Sequence, residues 1–212
     1  VSVESPVRRQ AGQIVPWDEM QAISRLCREQ AIPVHLDGAR LYMMSAATGK
    51  ELKEYADLFD SVYVSMYKYF GSPFGAVLAG TSEFISGMFH ERRMFGGGLP
   101  SSYLFAGLAL DGMDRFELRN KEAFEKATSL FTDINNLPEI EVRRFEHGSN
   151  IFELVIHPGI DQDRFVGKLL DLGIVITWPN ENWRVPLLHV NTTILRRPNA
   201  EITQAFSTAA SG

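Results

Sequence analysis

The stretch His35-Leu36-Asp37-Gly38-Ala39-Arg40-Leu41 decides the fold of this chain, because a carboxylate directly follows a short apolar run. The next strand-like run, Ser61–Met66, leads into Tyr67-Lys68-Tyr69 and a loop rich in glycine and proline. In open α/β sheets, ligands lie beyond the carboxyl ends of the strands. The sequence therefore predicts that Asp37 and Lys68 lie at one edge of a sheet and face the same ligand.

The combination of Asp37 with Lys68 favours a cofactor site over two unrelated structural residues. An isolated aspartate after a strand usually caps a turn or the next helix, and an arginine such as Arg40 usually serves the surface. Pyridoxal 5′-phosphate requires both groups of the pair, since a lysine binds its aldehyde and an acidic side chain keeps its pyridinium nitrogen protonated. The pair therefore predicts a pyridoxal-phosphate site.

The hydrophobic pattern outside these stretches predicts an α/β chain in two parts. In the first part, strand-like and helical runs alternate, which is typical of a mixed, mostly parallel sheet flanked by helices. Helices are predicted near Ser102–Phe116 and from about Lys121 to 136. Beyond this point the sequence predicts three short strands, at 140–144, 151–156 and 174–177, and a helix at 161–172. The side of this helix that faces the core is predicted to carry Phe165, Leu169 and Leu172. We expect a large domain over residues 1–136 and a small α+β domain over residues 137–212.

Composition excludes several classes of protein. The chain has 212 residues, of which 45% are hydrophobic and 22% charged, so it is not a disordered chain. Its net charge of −5, without a basic stripe, argues against a nucleic-acid partner, and no apolar run is long enough for a membrane partner. The single cysteine, Cys27, excludes an internal disulfide, and the scattered histidines predict no metal site. The start at Val1 predicts a piece of a longer protein, for which a cytoplasmic location is expected.

Three blocks of the sequence resemble the L-threonine aldolases, in the β-eliminating lyase branch of the fold-type-I pyridoxal-phosphate enzymes. The blocks are the Asp37 stretch, the loop around Lys68, and Arg92-Arg93-Met94-Phe95-Gly96-Gly97-Gly98. They occur in the family's order with compatible spacing, and a weaker resemblance extends from Val1 to about Leu110. The resemblance implies the C-terminal portion of the fold-type-I large domain, followed by the small domain.

The resemblance also implies roles in holding the cofactor. Lys68 would bind pyridoxal 5′-phosphate covalently until the substrate amine displaces it. Asp37 would pair with the pyridine nitrogen, Ala39 would lie against one face of the ring, and Ser65 would contact the phosphate.

Three arginines are implied in substrate binding. Arg40 would hold the substrate carboxylate, a task suited to the fork of a guanidinium group. Arg184 resembles the arginine of the small domain that clamps the same carboxylate, although a structural role for it remains open. Arg93 matches a basic position near the active site of the neighbouring subunit.

The activity implied by the resemblance is cleavage of the Cα–Cβ bond of a β-hydroxy-α-amino acid of the threonine or allo-threonine type, giving glycine and an aldehyde. β-Elimination and transamination stay open, because such enzymes share the same lysine, aspartate and arginine. A non-catalytic fragment is a further alternative, since the family's phosphate-binding loop and ring-stacking histidine lie upstream of the matching blocks. Tyr67 and Tyr69 also stand where typical aldolases have serine and glycine. The expected partners are a small amino-acid substrate and further copies of the chain, in a homodimer or homotetramer with shared active sites.

Overall fold

The computed structural model describes residues 1–179 and 184–211 of the chain. The chain divides into two compact units, one formed by residues 1–8 and 14–117 and the other by residues 9–13 and 118–212. The division falls inside a long helix, whereas the sequence predicted a domain boundary near 136, where that helix ends. The boundary at 136 stays a prediction.

The first unit is built on a four-stranded sheet flanked by helices. The sheet order is β1-β2-β3-β4, in which β1, β2 and β3 are parallel and β4 runs antiparallel to β3. This arrangement confirms the predicted mixed, mostly parallel sheet. The elements of this unit are β1 (Ser2–Glu4), α1 (Trp17–Glu29), β2 (His35–Asp37), α2 (Leu41–Thr48), α3 (Leu52–Ala56), β3 (Ser61–Ser65), β4 (Ala76–Gly80), α4 (Ser82–Ile85), α5 (Met88–Met94) and the first half of α6 (Ser102–Asn135).

Helix α1 shows how the sequence builds this unit. Asp18 and Glu19 lie in its first turn, where carboxylates interact favourably with the helix dipole. Met20, Ser24 and Cys27 are buried at spacings of four and three residues. This single buried stripe packs α1 against the apolar face of the sheet, in a core that includes Val34, Leu36 and Val62.

The second unit pairs a three-stranded antiparallel sheet with helices. Its elements are the second half of α6, β5 (Ile140–Arg144), β6 (Ile151–Ile156), α7 (Gln162–Asp171), β7 (Leu187–His189) and α8 (Asn199–Ala210). Phe165 and Leu169 of α7 are fully buried, whereas Leu172 is 39% exposed, so the prediction for Leu172 was wrong. Leu172 is the residue that ends the helix, and therefore no longer follows the buried stripe.

Two predictions of secondary structure were also wrong. The helices predicted near 102–116 and 121–136 are one continuous helix, α6, because no proline or glycine interrupts the chain between Met113 and Asn135. The strand predicted at 174–177 is reduced to a single bridge from Thr177 to Leu187, and β7 takes the place beside β6.

None of the helices in the described part of the chain is long and apolar enough to cross a membrane.

Candidate functional site

The sheet of the first unit has one apolar face and one polar face. Leu36 and Val62 point into the core, while the residues that alternate with them are polar. The strand register places His35 opposite Ser61 and Asp37 opposite Tyr63. His35 Nδ1 lies 2.8 Å from the Ser61 hydroxyl, as the register requires. The polar face therefore ends, at the carboxyl edge of β2 and β3, in a carboxylate and hydroxyl groups.

The turn after β2 holds the Asp37 carboxylate in place. The backbone N–H of Ala39 donates a hydrogen bond of 3.1 Å to Asp37 Oδ1. Gly38 lies so close to β3 that an added Cβ would be 3.1 Å from the Tyr63 carbonyl oxygen, which explains a glycine here. Ala39 is buried, and Arg40 immediately precedes the first residue of α2. The turn therefore holds the Asp37 carboxylate on a backbone whose position is fixed by these contacts.

Lys68 reaches back to the end of β3. Its Nζ donates a hydrogen bond of 2.9 Å to the Ser65 Oγ, and this hydroxyl lies 3.1 Å from the Tyr63 hydroxyl, to which it donates. Ser65 is fully buried, whereas Lys68 is half-buried. The amine is therefore held by the protein yet can be reached from outside.

The loop that carries Lys68 closes on itself. The Met66 backbone N–H donates to the Gly75 carbonyl oxygen at 2.9 Å, and Ser72 Oγ donates to the Phe74 carbonyl oxygen at 2.7 Å. Gly75 has φ +116°, a conformation that a residue with a Cβ rarely adopts. These contacts fix the path of the backbone on both sides of the lysine.

Helix α6 backs this loop through a backbone contact. A Cβ added at Gly112 would lie 2.0 Å from the Phe70 carbonyl oxygen, so only glycine allows the observed approach. The Phe70 ring is buried and lies 4.8 Å from the Tyr42 ring and 5.4 Å from the Phe116 ring, measured between centroids. Aromatic pairs at such distances are favourable, and they anchor the residue two positions after Lys68.

Two tyrosines beside Lys68 differ in their electrostatics. The pKa of Tyr67 is lowered from its ordinary value by a hydrogen bond with Ser65 and by the adjacent Lys68 ammonium. Burial raises the pKa of Tyr69, and the positive charge of the Arg40 guanidinium partly offsets the increase. The positive charge of Arg40 therefore acts on the Tyr69 phenol.

The other two predicted arginines belong to other elements. Arg93 belongs to α5, where it is exposed and its guanidinium carbon lies 5.5 Å from the centroid of the Phe89 ring. Arg184 is an exposed residue of the second unit, directly after residues 180–183, which lie outside the described part of the chain.

A cavity of about 530 Å³ lies within the first unit. Its lining includes Val64 of β3 and Met66, the residue directly after β3, and these alternate along the chain with the hydroxyl-bearing Tyr63 and Ser65. The other lining residues are mostly apolar, with Arg92 as the charged group. This cavity is thus separate from the polar face that carries Asp37.

The structure brings Asp37, Ala39, Arg40, Ser65 and Lys68 to the ends of two neighbouring parallel strands. Sequence reasoning missed the hydroxyl of Tyr63. The signal for it was the two-residue spacing between Tyr63 and Ser65, which puts both side chains on the same face of a strand.

The described residues, 1–179 and 184–211, contain no group of three or more histidine, cysteine, aspartate or glutamate side chains that could hold a metal ion.

Comparisons with known proteins identify relatives of this chain. The chain is 42% identical over 103 residues to the low-specificity L-threonine aldolase of Candida albicans, covering 49% of this chain and 28% of the relative. It is 36% identical over 99 residues to the low specificity L-threonine aldolase of Saccharomyces cerevisiae, covering 47% and 26% of the two chains. The matches therefore span about a quarter of the length of these curated relatives.

A solved structure extends the similarity to the whole chain. A provisionally assigned L-allo-threonine aldolase from Listeria monocytogenes superposes with a TM-score of 0.80 at 28% identity, covering 100% of this chain and 60% of that one. The sequence model of the family described as beta-eliminating lyase matches residues 1–156. The chain belongs to the beta-eliminating lyase family.

Proposed function

We propose that this chain is the lysine-bearing part of a pyridoxal-phosphate-dependent lyase that cleaves the Cα–Cβ bond of a β-hydroxy-α-amino acid to glycine and an aldehyde. The observation that carries the proposal is the position of Asp37 and Lys68, at the carboxyl ends of adjacent parallel strands. The names of the aldolase relatives supply the reaction.

The residues of the site fit pyridoxal phosphate. Asp37 uses Oδ1 to accept the Ala39 N–H, which leaves the other carboxylate oxygen for the N–H of a pyridinium ring. Lys68 is half-buried and its Nζ is bound to a hydroxyl rather than to a carboxylate, so no ion pair among the described residues competes for it. Ala39 is buried beside Asp37 and presents only a methyl group, as a flat ring requires.

When bound, the cofactor supplies an electron sink for the pair released from the broken bond. Lys68 holds it covalently, Asp37 holds the proton on its ring nitrogen, and Ser65 contacts its phosphate in this proposal. Arg40 binds the substrate carboxylate, and this orients the bond to be broken.

The same proposal extends to Arg184 and Arg93. Arg184 contributes a second contact to the substrate carboxylate, and Arg93 serves the site of a neighbouring subunit. The exposure of Phe89, Met94 and Phe95, at 56%, 69% and 86%, supports an interface near Arg93, because large apolar side chains are usually covered in an assembly. A homodimer or homotetramer with shared sites follows, and its formation is measured by sedimentation.

β-Elimination is the second candidate reaction, because the matching family model is that of the beta-eliminating lyases. Product analysis separates the two reactions. Glycine and an aldehyde support Cα–Cβ cleavage, whereas pyruvate and ammonia support elimination.

The experiment that tests the proposal is labelling of Lys68 by its cofactor. The chain is mixed with pyridoxal phosphate, reduced with borohydride and digested, and the modified peptide is identified by mass. We expect the label on Lys68 and its loss in Lys68→Ala. Lys53→Ala is the matched control, since Lys53 is an exposed lysine paired with Asp57 on α3.

Labelling that persists in Lys68→Ala, or that falls equally on Lys53 and Lys68, would refute the assignment of Lys68. Absence of any label would support the alternative of a non-catalytic fragment.

A further inference from the structure

Two hydroxyl groups link the Lys68 amine to the polar face of the sheet. Lys68 Nζ donates a hydrogen bond of 2.9 Å to Ser65 Oγ, and Ser65 Oγ donates one of 3.1 Å to the Tyr63 hydroxyl. The Tyr67 ring also contacts the amine, with its centroid 5.1 Å from Nζ. We call the two successive hydrogen bonds, from Lys68 through Ser65 to Tyr63, the hydroxyl relay.

The burial of Ser65 makes the direction of these hydrogen bonds important. Ser65 is fully buried, so its hydroxyl is out of reach of water. A lysine ammonium has three N–H donors and no acceptor, and therefore Ser65 Oγ can only accept a hydrogen bond from it. The single proton of the Ser65 hydroxyl needs an acceptor of its own, since an unsatisfied buried donor is costly. The Tyr63 hydroxyl is that acceptor.

Tyr63 is a fixed end for the hydroxyl relay. It is the third residue of β3, where it pairs with Asp37 of β2 on one side and with Leu78 of β4 on the other. Its side chain lies on the same face of the strand as Ser65, two residues later. Lys68, in contrast, follows the strand and carries a flexible stem of four carbons. The relay therefore connects a mobile amine to a paired strand.

We propose that Tyr63 is a positioning residue that retains the free Lys68 amine at the end of β3, an inference that rests on the proposed function and adds a residue to that site. By accepting the Ser65 proton, Tyr63 keeps a lone pair of Ser65 Oγ directed at Nζ. The relay acts while the amine is free, which is the case before the cofactor binds and after the substrate amine has displaced the lysine. It keeps the free amine close to the cofactor that it must bind again.

A first test needs no cofactor. In the chain labelled with ¹⁵N-lysine, exchange of the Lys68 ammonium protons with water is measured by nuclear magnetic resonance, and Lys68→Arg identifies the signal. Exchange requires the hydrogen bond to Ser65 to open. We expect Tyr63→Phe to speed this exchange by about 3- to 10-fold, the effect of weakening one hydrogen bond. Lys126 donates to the Arg197 carbonyl oxygen in the second unit, and its exchange should be unchanged.

A double variant shows whether Tyr63 acts through Ser65. In a Ser65→Ala chain the relay is already broken, so the addition of Tyr63→Phe should leave the exchange rate of Lys68 unchanged. An equal acceleration in both backgrounds would overturn the proposal, because Tyr63 would then act as part of the strand and not through the relay.

Tyr42→Phe is the matched control for Tyr63→Phe. Both tyrosines are partly buried, and the Tyr42 hydroxyl makes no hydrogen bond within residues 1–179 and 184–211. The substitution keeps the Tyr42 ring, which packs on Phe70. Exchange of the Lys68 ammonium protons should keep its original rate in this variant.

A second measurement connects the relay to the cofactor. Borohydride fixes pyridoxal phosphate on Lys68, and the rate of this labelling should fall by about 3- to 10-fold in Tyr63→Phe, since an amine that leaves its position meets the cofactor less often. Tyr42→Phe should label at the original rate. Faster exchange with unchanged labelling in Tyr63→Phe would overturn the positioning role, because the relay would then hold the amine without serving the cofactor.

The outcomes distinguish the two proposals. If Tyr63→Phe changes neither exchange nor labelling, Tyr63 is not a positioning residue, while the label on Lys68 still supports the proposed function. If Lys68 of the wild-type chain takes no label, the proposed function fails and the role of Tyr63 towards the cofactor fails with it, whatever the exchange rates are.

Discussion

Gly112→Ala is the substitution that tests how helix α6 positions Lys68. The new Cβ would lie 2.0 Å from the Phe70 carbonyl oxygen and 2.6 Å from its Cα, which are backbone atoms that no side-chain rotation can move. Ordinary contact begins at 3.4 Å, so the helix and the lysine loop must separate by about 1.4 Å. Gly107 lies on the same helix, and a Cβ there would meet no atom within 4 Å, which makes Gly107→Ala the matched control.

The two substitutions are expected to change stability in opposite directions. Alanine is favoured over glycine inside a helix by about 1 kcal/mol, and Gly107→Ala should raise the free energy of unfolding by about 0.5–1 kcal/mol. Overpacking costs about 1–3 kcal/mol and the same gain in propensity offsets part of it, so Gly112→Ala should lower the free energy of unfolding by up to about 2.5 kcal/mol. A displacement near 1 Å is also enough to reduce chemistry at a positioned group by about 10²-fold.

The assay combines denaturant unfolding, followed by circular dichroism, with the rate at which borohydride fixes pyridoxal phosphate on Lys68. The expected result is a loss of stability and slower labelling in Gly112→Ala, with neither in Gly107→Ala. Equal stability and equal labelling rates in the two variants would refute the argument that the close approach of α6 to Phe70 positions the lysine.

Two further predictions concern stability. Asp161 precedes α7 and accepts a hydrogen bond of 3.1 Å from the Arg164 N–H, so Asp161→Ala should lower the free energy of unfolding by about 1 kcal/mol. Asp171→Ala, at the other end of the helix, should not lower it. Denaturant unfolding of both variants measures the difference, and equal losses would contradict the capping role of Asp161. Burial raises the pKa of Tyr55 above its ordinary value of 10.0, so the folded chain holds this proton more tightly than the unfolded chain. The contribution of Tyr55 to stability is present below pH 10.0 and is lost as pH rises through the pKa of the folded chain. The free energy of unfolding, measured against pH, should therefore fall in alkali, and the fall should be weaker in Tyr55→Phe. An equal fall in Tyr55→Phe would contradict this prediction.

The placement of Asp37 and Lys68 could be predicted because it depends on local signals. Each residue follows a short run of strand-forming residues. The carboxyl ends of parallel strands lie at the same edge of a sheet, so residues that follow such strands lie at that edge. The hydrogen bond from Lys68 to Ser65 spans only three residues and follows from the same geometry. Most of this end of the candidate site is therefore encoded in two short stretches.

Longer-range features escaped prediction where a local pattern had two structural solutions. The buried stripe of α6 passes through Asn120, a polar residue that is only 4% exposed, and this polar position broke the apolar periodicity that predicts one helix. Residues 174–177 have the composition of a strand, but the place beside β6 is taken by Leu187–His189. Pairing between strands depends on competition among distant segments, which composition cannot rank.

The sequence by itself determined the fold class, the paired carboxylate and amine, and the alternation that leaves one face of the sheet polar. It did so because strand ends, turns and the two-residue period of a strand are set within a few residues. Only the tertiary structure decided that α6 touches the lysine loop at Gly112 and that the Lys68 Nζ lies 5.1 Å from the centroid of the Tyr67 ring. Contacts through space depend on packing, which brings backbone and side chains together to within tenths of an ångström.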